Sequence, residues 1–292
     1  MPGAQSLNRA RLIAVSSLFA RRRLVVILLG LAALAAAVRV EAQFRQRGFS
    51  NARIATSADV DGGFQFCRIA FPDDFRGGRN SGSWSVDWPR ADINLSIRLS
   101  ELTKADVNLN AAGDPNHLLM RLSDDVLFQC PFVMMTEVGS AGLSNQDVER
   151  LRLYLLKGGF LWADDFWGTE EWEWWAAQMN RILPFDEYPI VDLPPTHPLF
   201  STQFQIKETP QIAAINHWAN TGGGTSERYQ DSEVVHTRAV LSEDGHIMVL
   251  MTHNTDLGDS FEREADDPQY FYTMSVPGYA FGVNTLLYAL TH

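Results

Sequence analysis

Residues 158–175 read GGFLWADDFWGTEEWEWW, and within them Asp164 and Asp165 end a short apolar run. Two adjacent carboxylates at the end of a strand can act as a general base or as ligands for a cation. The same residues can instead cap the next helix or accept backbone N–H groups. Because strand side chains alternate, one of the pair is expected to face the crevice beyond the strand ends. A second polar cluster, HNTDLGDSFERE at 253–264, directly follows another apolar run. His253, Asn254, Asp256, Asp259 and Glu262 could there form a hard-cation site or an acid/base pair. Their spacing is neither an EF-hand loop nor the HExxH helix. A solvated loop whose Asn and Asp satisfy local backbone accounts for the same residues. Asp164, Asp165 and His253 are thus the catalytic candidates, and Asn254, Asp256 and Asp259 the ligand-binding ones; no particular metal is indicated. His197, Glu208 and His217 are weaker signals, isolated from either cluster.

Aromatic residues surround the carboxylate pair. Trp172, Trp175, Ala176 and Met179 follow i, i+3, i+4, i+7 spacing, the mark of a buried helix face. Trp174 falls off that face and Trp167 sits in the turn before it. Trp84, Trp88 and Trp167 are therefore the better candidates for an aromatic platform that contacts a ligand. Nucleophilic catalysis lacks a home: there is no GxSxG elbow, and neither cysteine follows a glycine-flanked strand-to-helix turn. GxGxxG and the P-loop are also absent, and TGGG at 221–224 leads into no helix that could cradle phosphate.

These residues need strands and helices to hold them. FQFCRIAF (64–71) reads as a buried strand, and the Gly-, Ser- and Asp-rich segment 72–89 as a long loop. Pro89 opens a helix through about Thr103, with Ile93, Ile97 and Leu102 on its inner side. DVNL (106–109) is expected as a second strand, followed by a connector and a short helix near 115–126. The clearest unit is CPFVMMTEV (130–138), then a helix capped by Ser144 and Asp147, then FLWAD (160–164). A crossover of about a dozen residues implies parallel pairing and an α/β sheet. Thr169 is expected to cap the next helix. Residues 183–233 are Pro-rich and read as extended, a hairpin turns at EDGH (243–246), and GYAFGVNTLLYALT closes the chain as a helix with Phe281, Leu286 and Leu290 inward. Repeated strand–helix units make one α/β domain over 63–292, with a doubly wound, mainly parallel sheet and a C-terminal β-hairpin.

The N-terminus differs. Residues 1–23 carry five arginines and no acid, followed by fifteen uncharged residues at 24–38. That is the pattern of an export signal, and small residues at Val40 and Ala42 suit cleavage after Ala42. Fifteen helical residues span about 22 Å, short of the roughly 30 Å hydrocarbon core, which favours a cleaved signal over a membrane anchor. Residues 1–42 are assigned to either, and 43–62 to a polar linker. The net charge of −11 becomes five units more negative once six arginines and one glutamate are removed with residues 1–42. So acidic a surface repels phosphate backbones and argues against a nucleic-acid partner. Cys67 and Cys130 lie in apolar runs and are expected as buried thiols, although an oxidising compartment would let them pair.

FQFCRIAF, DDVLFQCPFVMM, LRLYLLKGGFLWADDFWG, THPLF, HNTDLGDSFE and FGVNTLLYALTH together resemble an exported bacterial family known as domain of unknown function 4159, over roughly residues 62–292. That family is similar in turn to the class I glutamine amidotransferase-like fold, in its trehalose-utilisation-type branch. The resemblance implies a three-layer, flavodoxin-like sandwich. It does not imply glutaminase activity, because Ala163-Asp164-Asp165 stands where the amidotransferases carry a nucleophilic cysteine. The expected function is small-ligand binding at the cell envelope, of a glycan or peptide. A hydrolase, metal-assisted or not, using the Asp164/Asp165 and His253/Asp256 region is the alternative.

Overall fold

The computed structural model describes residues 52–72 and 84–292. The export segment 1–42, its apolar run, and most of the loop expected at 72–89 lie outside the described residues. Among the described residues no helix is long and apolar enough to cross a membrane. The chain divides into two units, Met1–Arg53 and Ile54–His292, and the second holds the elements below.

Among the described residues seven strands form one sheet: β1 (Phe66–Ile69), β2 (His117–Met120), β3 (Phe132–Thr136), β4 (Phe160–Asp164), β5 (Ile190–Asp192), β6 (His236–Leu241) and β7 (Ile247–His253). Their order across the sheet is β2-β1-β3-β4-β7-β6-β5. Neighbours from β2 through β7 pair in parallel, while β6 runs antiparallel to β7 and β5 to β6. Helices α1 (Arg90–Leu102), α2 (Asn145–Leu156), α3 (Gly168–Ile182) and α4 (Ile215–Thr221) lie between strands, and α5 (Leu257–Glu262) and α6 (Val276–Thr291) follow β7. The mainly parallel α/β sheet and the hairpin after it are as expected from the sequence.

Alternation along the strands sorts the core into two layers. Leu161 and Ala163 of β4 and Met251 of β7 pack with Leu151 and Leu155 of α2 and Trp175 and Met179 of α3. Phe160 and Trp162 of β4 and Leu250 of β7 pack on the other side with Leu95 and Leu99 of α1, Phe261 of α5 and Phe281 and Leu286 of α6. β1 leads into α1 on the second face, β3 into α2 on the first. The winding direction therefore reverses between β1 and β3, the point at which open α/β sheets bind ligands.

Several sequence expectations need correction. DVNL contributes only isolated bridges at Val107 and Leu109; the second strand is β2, inside the segment expected as connector and helix. α1 buries Ala91, Asp92, Leu95, Ser96 and Leu99 rather than Ile93, Ile97 and Leu102. Its inner face is polar in part because Arg68 of β1 reaches across and pairs with Asp92, both fully buried. α3 starts at Gly168. Asn254 Oδ1 accepts from Gly168 N at 2.8 Å, and Asp231 accepts from both Thr169 N and the Thr169 hydroxyl, so Thr169 is itself capped from afar. Residues 183–233 include the helix α4 as well as extended chain. Cys67 and Cys130 form a disulfide instead of two thiols. Finally, Ile54, placed in the linker by sequence, bridges Leu119 in parallel, and Ala55 N donates to Leu119 O at 2.7 Å along the outer edge of β2.

Candidate functional site

A crevice of about 320 Å³ opens beyond the carboxyl ends of the strands. Asp87 enters it from the segment after β1, Glu137 from the end of β3, Asp165 from the end of β4, Asp256 and Asp259 from the start of α5, and Glu262 from its last position. Glu227 and Trp88 complete the wall, and Arg263 is the cation among the lining residues. Larger cavities, of about 490 and 600 Å³, lie at the opposite, amino-terminal ends of the strands around Cys130 and Pro131 and gather no comparable set of ionisable groups. Three of the crevice residues hold the left-handed backbone conformation: Asp87 (φ 63°), Glu137 (φ 54°) and Asp165 (φ 56°). Non-glycine residues adopt it sparingly, and such strain gathers at functional sites.

The adjacent carboxylates have separate tasks. Asp164 ends β4 on the α5 side and is fully buried. Its Oδ2 accepts from Leu257 N (3.0 Å) and Gly258 N (3.2 Å), the first amides of α5, while Thr252 Oγ1 donates to Oδ1. Burial raises its pKa to about 7, against the opposing pull of those hydrogen bonds. Asp164 therefore anchors α5 to the sheet and does not line the crevice. Asp165, one residue on, does line it. The left-handed turn at Asp165 redirects the chain, and Trp167 Nε1 donates to Asp165 Oδ1 at 2.9 Å. Burial, then the nearby Glu137 and Asp87, push its carboxyl well above the ordinary range.

The other candidates divide likewise. Asp256 and Asp259 face the crevice. Asp256 Oδ1 accepts from Asp259 N at 2.8 Å as the N-cap of α5, and Asp259 Oδ2 accepts from Ile215 N and Tyr270 Oη. Burial and then Asp165 raise the pKa of Asp256 well above the ordinary value; burial also raises that of Asp259, against the pull of its hydrogen bonds and Arg263. Asn254 does not reach the crevice. Its side chain accepts from Gly168 N and donates to Val234 O, joining three loops.

His253 is on the opposite face of the sheet from Asp164, since Thr252, the intervening residue on β7, is the one that meets Asp164. It stacks between Phe166 (4.9 Å) and His236 (5.6 Å), with Nε2 on Gly168 O and Nδ1 on Arg238. Burial lowers its pKa to about 4, so the ring is neutral and both nitrogens are engaged. A catalytic base at His253 working with Asp165 is not the arrangement found.

Among the tryptophans, Trp88 lines the crevice, and its Nε1 is buried without a hydrogen-bond partner among the described residues. Trp84 packs edge-on against Trp88 at 5.7 Å behind the wall. Trp167 is 3% exposed and holds Asp165 instead of a ligand. Sequence reasoning missed Asp87, Glu137 and Glu227. The single sequence signal for Asp87 is its place in WSVDWP, between two tryptophans in a loop too long to be idle.

The two aspartates should answer oppositely to amidation. In Asp164→Asn one acceptor oxygen becomes an NH₂ facing donors, a loss of about 1–3 kcal/mol. Asp165→Asn keeps an acceptor for Trp167, and Asn tolerates left-handed backbone. The stability that Asp165 lends is complete below about pH 3.9, its ordinary value, and is lost as pH rises through its raised folded pKa. Without added divalent ions, Asp165→Asn should therefore gain stability on the wild type as pH rises from 5 to 8. Urea midpoints at both pH values measure this, and a gap that does not change with pH would contradict it.

No curated protein matches the chain. A family profile does, over residues 76–290, about three quarters of the sequence and all of the crevice-lining residues. The chain belongs to that family, described as Domain of unknown function (DUF4159).

Proposed function

We propose that the protein is an exported ligand-binding domain whose crevice takes a small molecule with a positively charged group, such as an amino sugar or a peptide amine. The observation that carries this reading is the lining: seven carboxylates and one guanidinium in about 320 Å³. Low-dielectric walls concentrate the field of such a set and favour a cation over a neutral or anionic ligand. Trp88 adds an aromatic wall suited to a sugar face or an ammonium group. The position at the β1/β3 reversal supports a binding site, and the parallel run β2-β1-β3-β4-β7 supports the flavodoxin-like description. Export draws support from the Cys67–Cys130 bond, since disulfides persist in oxidising compartments. The hydrolase reading is weaker because His253, its catalytic base, is turned away from the carboxylates and bonded to Gly168 and Arg238.

Calorimetry with glucosamine against glucose, lysyl-alanine against alanyl-alanine, and putrescine tests the proposal. An amine should bind at least tenfold tighter than its neutral counterpart, less so at high salt, and Glu227→Gln with Asp165→Asn should remove the preference. Equal binding of charged and neutral members, or none by any, would overturn it.

A further inference from the structure

Three of the crevice carboxylates stand close together. Asp87, Asp256 and Asp259 each offer an oxygen, and these atoms all lie within 4.8 Å of one another. All three side chains are buried, Asp87 being 6% exposed. Asp87 Oδ2 has no hydrogen-bond partner among the described residues. It lies so near Gly258 that a Cβ there would meet it at 2.3 Å. A side chain at residue 258 would thus displace Asp87, and glycine lets it come forward to Asp256. The cations nearby do not resolve the crowding. Arg68 gives Nε to Asp92 and Nη1 to Trp84 O. Arg263 reaches Asp259 Oδ1 at 3.4 Å but sits closer, at 2.8 Å, to Glu262. Asp164, Asp165 and Glu262 add further negative charge around the trio.

We propose that Asp87, Asp256 and Asp259 are ligands of a hard divalent cation, Ca²⁺ or Mg²⁺, within the crevice. The donor set is oxygen throughout, with neither thiolate nor imidazole, which selects hard ions over zinc or copper. Oxygens across a Ca²⁺ ion stand about 4.6–5.2 Å apart, and across Mg²⁺ about 4.0–4.2 Å, so three oxygens within 4.8 Å of one another are close enough to share one such ion. The unpartnered Asp87 oxygen gains its missing partner. The inference rests on the crevice being a ligand site and adds an inorganic cation to it.

The test uses the full chain stripped with EDTA and titrated with CaCl₂, MgCl₂ and MnCl₂ at pH 7.5, by calorimetry and thermal melting. One ion per chain is expected, with a melting point raised by about 5–10 °C at a hundredfold excess over Kd. Asp87→Asn and Asp256→Asn should each weaken binding at least tenfold. Both should melt no lower than the ion-free wild type, because each removes one member of a mutually repelling set. Asp186→Asn, an exposed acid outside the crevice, should bind as the wild type does. No binding at millimolar ion, or unchanged binding in both crevice variants, would overturn the proposal. The two readings fail separately: an amine bound without any divalent response removes the ion site alone, and an ion bound without any amine response removes the organic ligand alone.

Discussion

Replacing Arg68 by alanine is expected to cost about 3–5 kcal/mol, the usual penalty for stripping one partner from a buried ion pair. Arg68 and Asp92 are both fully buried, and the guanidinium binds both carboxylate oxygens. With the arginine gone, Asp92 is left as a buried carboxyl without its ion-pair partner. The bond also fastens β1 to the first turn of α1, which follows Asp87 and Trp88 directly, so crevice binding should weaken along with stability. The double change Arg68→Met with Asp92→Leu should recover most of the loss, because well-packed apolar residues replace a buried pair with little penalty. Urea midpoints for the single and double variants decide it. A single variant within about 1 kcal/mol of wild type would show that the pair holds nothing together.

Opening the Cys67–Cys130 bond should be nearly as damaging. The bond closes a loop across 63 residues and ties β1 to the segment that enters β3. Chain-entropy reasoning puts the stabilisation from a loop of that length at about 4 kcal/mol, and measured losses for native disulfides run about 2–5. Reduction with dithiothreitol, or Cys67→Ala with Cys130→Ala, should lower the denaturant midpoint by a corresponding amount. Agreement between the two treatments would assign the loss to the bond itself. A midpoint indifferent to both would remove the bond from any account of stability.

What the sequence revealed, and what it hid, follows physical lines. The β3–α2–β4 unit was legible because Ser144 and Asp147 form a true capping box and the strands are uniformly apolar. The inner face of α1 was not, because Asp92 and Ser96 occupy it. Asp92 is matched by Arg68, 24 residues away, and Ser96 by a backbone carbonyl, so tertiary partners make polar residues behave as core. The thiols were read as free because pairing depends on the sheet placing β1 beside β3, a register no local pattern carries. That Asp165 and Asp256 lie beyond the strand ends, where the crevice is, was legible from their place after apolar runs. His253 was misplaced by parity: adjacent residues on β7 point to opposite faces, and only the pairing of β4 with β7 shows which face belongs to the crevice. Asp87 acquires its role from Gly258, 171 positions later, and nothing local could announce it.

The bridge between Ile54 and Leu119 has a consequence for how the molecule behaves in company. A sheet of seven strands has two open margins, and an unpaired margin is a template for a neighbouring chain. At one margin β5 is only three residues long, and Asp192, at its end, pairs with Arg238 at the surface. At the other, the stretch around Ile54 occupies the backbone of β2 that would otherwise face solvent. Those few residues ahead of β1 therefore act as a guard against edge-to-edge association. A chain shortened to begin at Gly63 would keep all seven strands and the whole crevice, yet leave the Leu119 carbonyl and its neighbours free to recruit a strand from another copy.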